Sequence, residues 1–246
     1  MVKKIIWGSI ALIVLVVGIA VTLVVTQADR FVADAVETYG SAATKTDVRV
    51  SGVDLALTAG TGTLDGLTIG NPDGYSTDYA VRIDDTRLTL DLASLSSDVP
   101  VVTQMLLTGA HINAEQRGDA TNLTDIQRLM GSSEGSANGS AQSTREGRIV
   151  IDSFRLEDAR VTLTSELLSA PEELVLDDVV VAGVGGAAGG ATYSEAAEAI
   201  LTPILAAARS AAQARLRSAA AEAAREEIEE ELEEEAGGRL RELLDR

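Results

Sequence analysis

The sequence predicts a membrane-anchored α+β protein with an N-terminal transmembrane helix, a curved, mostly antiparallel β sheet and a long C-terminal α-helix. Three observations predict it. Ile5 to Val25 is an uncharged run rich in Ile, Val and Leu. Between residues 48 and 181 apolar residues alternate with polar ones at the period of a half-buried strand. From residue 192 onward the spacing becomes helical and the composition shifts to Ala and then Glu.

The run from Ile5 to Val25 is about 31 Å long as a helix, matching a hydrocarbon core of about 30 Å. Lys3 and Lys4 precede it, and Trp7 occupies an interfacial position. With Ile5, Leu12, Leu15 and Val25, Trp7 defines the expected anchor, whose partner is the lipid bilayer. Flanking positive charge keeps the N-terminus in the cytoplasm and places the bulk of the chain outside. Thr26-Gln27-Ala28 offers a small-x-small cleavage site, but signal-peptide apolar cores run about 7–15 residues, so an uncleaved anchor is the expectation.

The anchor occupies 1–27, and 28–40 continues as an amphipathic juxtamembrane helix. Phe31, Val32, Ala35, Val36 and Tyr39 line one side of that helix, and Gly40 is its expected stop. The first part of the β domain spans 41–130. Val48 and Val50, then Val53, Leu55 and Leu57, alternate with a phase slip that places a bulge at Gly52. Leu64, Leu67 and Ile69 form a strand that ends in the turn Asn71-Pro72-Asp73-Gly74. Val81 to Leu92 is the next strand, and Val101 to Ala114 is bent or broken at Gly109. Asn122 to Met130 reads as a helix capped by Thr121 or Asn122.

A Gly/Ser/Ala-rich linker follows at 131–147, then the second part of the β domain at 148–182, with Leu174 to Val181 as one strand. A Gly/Ala linker is expected at 183–191 and a helical region at 192–246. Thr192 and Glu195 have capping-box spacing, Thr202-Pro203 reads as a helix restart, and Gly237-Gly238 reads as the helix end. Residues 105–114 match residues 154–163 at a fixed offset, with apolar positions coinciding, so one strand–bend–strand unit recurs along the sheet.

Composition removes several chemistries. The absence of Cys excludes disulfides, thiolate metal sites and Cys nucleophiles. A net charge of -18 repels nucleic acid and anionic surfaces. The single histidine, His111, cannot build a multi-histidine metal site. Gly131-Ser132-Ser133-Glu134-Gly135 fits the nucleophile-elbow pattern but lies in a low-complexity linker with His111 before it, the reverse of that fold's order. Gly183-Val184-Gly185-Gly186 lacks the Lys-Ser/Thr pair of a phosphate loop. Neighbours on a strand face opposite ways, so Asp84-Asp85 and Asp177-Asp178 read as solvated carboxylates. The expectation is a protein without catalytic residues, cofactor or metal.

Val48-Arg49-Val50-Ser51-Gly52-Val53-Asp54-Leu55, the stretch Leu64 to Tyr75 around Gly66-Leu67-Thr68-Ile69-Gly70-Asn71-Pro72-Asp73-Gly74, Gly109-Ala110-His111-Ile112, and Thr121-Asn122-Leu123-Thr124-Asp125-Ile126 follow the membrane helix in that order. This arrangement resembles the N-terminal region of the AsmA-like family of bacterial envelope proteins, over roughly half of the chain. The resemblance implies a curved β sheet forming an apolar groove, tethered to the bacterial inner membrane with its bulk in the periplasm. It also implies roles in phospholipid movement and outer-membrane assembly, with phospholipid acyl chains and envelope proteins as partners. On this chain the groove residues would be Val50, Leu55, Leu67, Ile69, Leu88, Leu90, Met105, Leu107, Phe154 and Leu156. About eight to ten strands at about 4.8 Å each span only about 40–50 Å, so a local role fits better than bridging a periplasm. The alternative is a scaffold whose C-terminal helix binds a partner or itself.

Overall fold

A computed structural model describes residues 28–131, 147–186 and 189–244. The anchor residues Ile5, Trp7, Leu12, Leu15 and Val25, and Ser133 of the linker, lie outside the described residues. Among the described residues no helix is long and apolar enough to cross a membrane.

The chain enters as α1 (28–44) and passes into β1 (Val48–Arg49), β2 (Gly52–Ala56), β3 (Thr61–Ile69) and β4 (Val81–Leu90). A 3-10 turn at Ser94–Ser96 leads to β5 (Val101–Arg117), β6 (Ala120–Thr121) and α2 (Asn122–Gly131). Then come β7 (Arg148–Glu157), β8 (Arg160–Thr164), β9 (Glu172–Val175), β10 (Val179–Val184), β11 (Ala191–Thr192) and α3 (Tyr193–Leu244). The fold is α+β with a mixed sheet and a long C-terminal helix. Taken as ribbons, β1–β2, β3, β4, β5, β7–β8 and β9–β10 lie side by side in that order. All these neighbours pair antiparallel except β5, which runs parallel to β7 and β8.

The internal repeat has a direct structural meaning. Met105 pairs with Phe154, Leu107 with Leu156, Ile112 with Val161 and Ala114 with Leu163, so the two copies are the two parallel strands in register. The bend recurs as well. Gly109 has φ 68° and Asp158, its counterpart in the second copy, has φ 54°. Each bend flips the strand's alternation while the pairing register is kept. Leu107 and Ala110 are therefore both buried, and so are Leu156 and Ala159.

The sheet buries one face under helices. The core joins Val81, Ile83, Leu107, Ile112, Phe154, Leu156, Val161 and Leu163 of the sheet to Leu123, Ile126 and Met130 of α2 and to Leu201, Ile204, Leu205, Ala208 and Ala212 of α3. The alanines of α3 let its backbone approach the strands closely, and Ala208 and Ala212 are fully buried. α1 protects the first edge of the sheet. Its Asp29, Ser41 and Glu37 side chains accept the backbone N–H groups of Leu55, Val48 and Val50 at 2.9–3.0 Å. Those donors would otherwise be an open template for strand addition. Gly40 allows this approach, because a Cβ there would lie 3.0 Å from Val48 Cγ1.

Several boundaries differ from the sequence expectation. α1 does not stop at Gly40 but runs to 44, and Lys45 takes the left-handed conformation at φ 57°. The segment 174–181 is not one strand, since 176–178 separate β9 from β10. In the Gly/Ala stretch expected as a linker, residues 187 and 188 lie outside the described residues; Gly190 N–H donates to Gly185 O at 2.9 Å, and β11 pairs back on β7. Thr202-Pro203 does not restart a helix: Pro203 sits inside α3, beyond a capping box in which Thr192 and Glu195 bond reciprocally at 2.8 and 3.2 Å. Gly237-Gly238 does not end it either, because α3 continues to Leu244. The packing of α3 on the sheet supplies what the missing Pro203 N–H removes.

The repeat yields a prediction. A non-glycine residue in the left-handed region costs roughly 1–2 kcal/mol. Gly109→Ala, whose Cβ would meet nothing closer than 3.6 Å, should lose about that much through backbone strain alone. Asp158→Gly should leave stability unchanged or raise it by up to about 1 kcal/mol, as measured by denaturant unfolding. Equal losses at both positions would contradict equivalent bends.

Candidate functional site

The ten apolar groove residues expected from the sequence fall on one face of the sheet. Leu55, Ile69, Leu88, Leu107, Phe154 and Leu156 are buried. Val50, Leu67, Leu90 and Met105 are only partly buried and pack against the core. Coverage is uneven because α3 packs on β5, β7, β8 and β10, at one side of the sheet. The face beneath it is filled by protein, with Phe154, Leu156, Val161 and Leu163 at 0% exposure. The partly covered strip, which also includes Val53, lies mainly on the strands of the other side.

A second cluster was not anticipated as a unit. The turn after β3 and the start of α2 meet in a buried polar knot centred on Asn122, which is 0% exposed. Asn122 Nδ2 donates to Asn71 Oδ1 at 2.7 Å and to the Asn113 carbonyl at 2.8 Å. Its Oδ1 accepts the backbone N–H of Glu115 at 3.0 Å and that of Leu123 at 2.9 Å. One carboxamide thus uses both its ends on main chain and on a second amide, leaving no buried donor or acceptor idle. Asn71 Nδ2 in turn closes its own loop on the carbonyl and hydroxyl of Thr77 at 2.6 and 2.7 Å. Thr121 supplies the helix cap by accepting the Thr124 N–H, which frees Asn122 for the knot.

Charge and a phenol complete the cluster. The Glu115 carboxylate accepts the N–H groups of Ser76 and Thr77 and the Ser76 hydroxyl at 2.9–3.1 Å. Burial pushes the Glu115 pKa up, but the bonds from Ser76 and Thr77 outweigh it and hold the group below its ordinary value. Tyr75 donates its hydroxyl to Asp125 Oδ2 at 2.6 Å. Burial, then that bond and the Asp125 charge, push the phenol up to about 12. Arg117 donates to the Gly74 carbonyl from the same turn. Asn71 and Tyr75 of the turn bond Asn122 and Asp125 at the start of α2. In the fold they touch each other and do the work of joining a turn to a helix.

The remaining sequence candidates stay apart. Asp84 faces Arg82 and His111, whereas Asp85 pairs with Arg87 at 2.8 Å. Asp178 lies 3.6 Å from Arg155 on the open face. Among the described residues no group of three or more metal-ligating side chains converges. Asn122, although it opens an Asn-x-Thr sequon, is buried and unavailable to a glycosylating enzyme. Comparison with protein-family models and with curated proteins gives no match.

The two shifted groups set opposite limits in pH. Glu115, lowered in the folded chain, contributes stability that is full above its ordinary value of 4.5 and is lost as pH falls below it. Tyr75, raised from 10.0 to about 12, contributes stability that is full below 10 and is lost as pH climbs through 12. Glu115→Gln should flatten the acid limb of the urea midpoint against pH, and Tyr75→Phe the alkaline limb. A profile unchanged in both variants would refute the assigned bonds.

Proposed function

We propose that this chain is a non-enzymatic, single-pass inner-membrane protein of AsmA type. Its bulk lies in the bacterial periplasm and assists lipid handling or outer-membrane assembly. The observation that carries this reading is that Val50, Val53, Leu67, Leu90 and Met105, apolar and gathered on one sheet face around the buried Leu55, Leu64 and Leu88, are only partly covered. An acyl chain laid along that strip would remove apolar surface from water at roughly 25 cal/mol per Å². The face under α3 offers no such room, so the lipid-contacting part is short. A short strip suits local contact with one chain or one hydrophobic segment of a partner, close to the bilayer to which the N-terminal run would tether it.

A second reading rests on α3. Beyond Ala219 every residue through Glu233 is exposed, Ile228 and Leu232 included, at 57% and 60%. A helix that continues past its sheet with an acidic surface and one apolar pair suits a scaffold that docks a partner or a second copy.

Because the chain has no cysteine, single-cysteine variants report cleanly. Leu90→Cys and Met105→Cys, each carrying an environment-sensitive fluorophore, should shift their emission to the blue when short-chain phospholipid is added below its micellar concentration. Arg82→Cys, on the opposite face, should not. Equal response at all three positions, or none, would remove the lipid-handling reading. A change of oligomeric state on deleting 220–246 in that case would favour the scaffold.

A further inference from the structure

The two edges of the sheet are built differently. At the first, side chains of α1 take up the backbone N–H groups of Val48, Val50 and Leu55. At the other lie β9 and β10. Among the described residues β9 pairs with β8 alone and β10 with β7 alone. Beyond its ladder on β7, no hydrogen bond from a described residue reaches β10. Alternate N–H and C=O groups of such a strand point outward and form a template for one more strand. Edges of this kind are commonly blunted by Lys, Pro or an inward-pointing charge. β10 has none of these: Val179-Val180-Val181-Ala182-Gly183-Val184 is uncharged. Val180, opposite Arg155 in the ladder, is 55% exposed.

We propose that β10 pairs antiparallel with β10 of a second copy of this chain, about a two-fold axis through Val180. The sealed first edge selects this arrangement. A copy has no open strand at its α1 side to offer, so the same edge must serve on both copies, and the pairing closes at two instead of growing into a filament. Charge selects the register. A net charge of -18 opposes contact between copies over most of the surface. With the axis at Val180, Val180 meets its own copy and Val179 meets Val181. Asp178 then falls opposite Ala182 of the second copy, so no two carboxylates face each other across the pair. Asp178 stays beside Arg155 of its own chain at 3.6 Å. One strand pair makes a small interface, so the dimer dissociates on dilution. Neither the apolar strip nor residues 220–246 take part, so either functional reading can fail without it.

The test is sedimentation of the full chain in mild detergent over a wide concentration range. Wild type should pass from monomer to dimer. Val180→Lys, at an exposed position whose change leaves the core intact, should weaken the dimer at least about tenfold, because like charges face each other across the axis. Val180→Glu should do the same, and an equimolar mixture of the two variants should recover association, since a lysine then faces a glutamate. Val180→Cys, in a chain with no other cysteine, should form a disulfide between copies on mild oxidation, and Arg82→Cys should not. A chain that stays monomeric overturns the proposal and leaves the edge to a strand of another protein. A dimer indifferent to the Lys and Glu variants, a mixture that fails to recover, or equal cross-linking at 82 and 180 overturns it as well.

Discussion

A single carboxamide, that of Asn122, sits where the topology changes. Up to β5 the chain is a simple antiparallel ladder in which each strand follows its neighbour. To place β7 parallel to β5 the chain must cross back over the sheet, and α2 begins that crossover. The position of α2 is set by Asn122, which binds the end of β5 through Asn113 and Glu115 and the turn after β3 through Asn71. The apolar side of α2 then meets α3, and the two helices together cover the core under β5 and β7. Misplacing α2 would leave Leu123, Ile126 and Met130 without partners and would expose the crossover.

Asn71-Pro72-Asp73-Gly74-Tyr75 and Thr121-Asn122-Leu123-Thr124-Asp125 are two halves of one bonded unit, so their residue types constrain each other physically. Such residues argue for how the chain folds rather than for chemistry on a substrate. What the chain does must be sought on its surfaces: the partly covered strip, the projecting acidic helix and the open edge at β10.

Much of the architecture is legible in the sequence. Period-two alternation located most of the strands, and the break in it at Gly109 located the bend, because burial on one face imposes the alternation. The repeat between 105–114 and 154–163 was visible, but its meaning as a parallel register was not, since pairing partners leave no local signature. Pro203 misled for the complementary reason: an intrinsic breaker acts locally, whereas a helix packed over several turns on a sheet tolerates it. The polar knot escaped because the bonds that tie Asn122 to Glu115, Asn113 and Asn71 join residues 7, 9 and 51 positions apart. Of the two caps the sequence offers, Thr121 and Asn122, Thr121 fills the role, and Asn122 turns to the knot.

The account stands on the coupling between the two asparagines. A double-mutant cycle with Asn71→Ala and Asn122→Ala, read by hydrogen exchange of the slowest amides in β5 and β7, tests it most directly. If the knot fixes α2, each single variant should lower the opening free energy by about 2 kcal/mol or more, and the double variant should lose clearly less than the sum. Strict additivity, or single losses below about 0.5 kcal/mol, would mean that α2 is held by its apolar face alone.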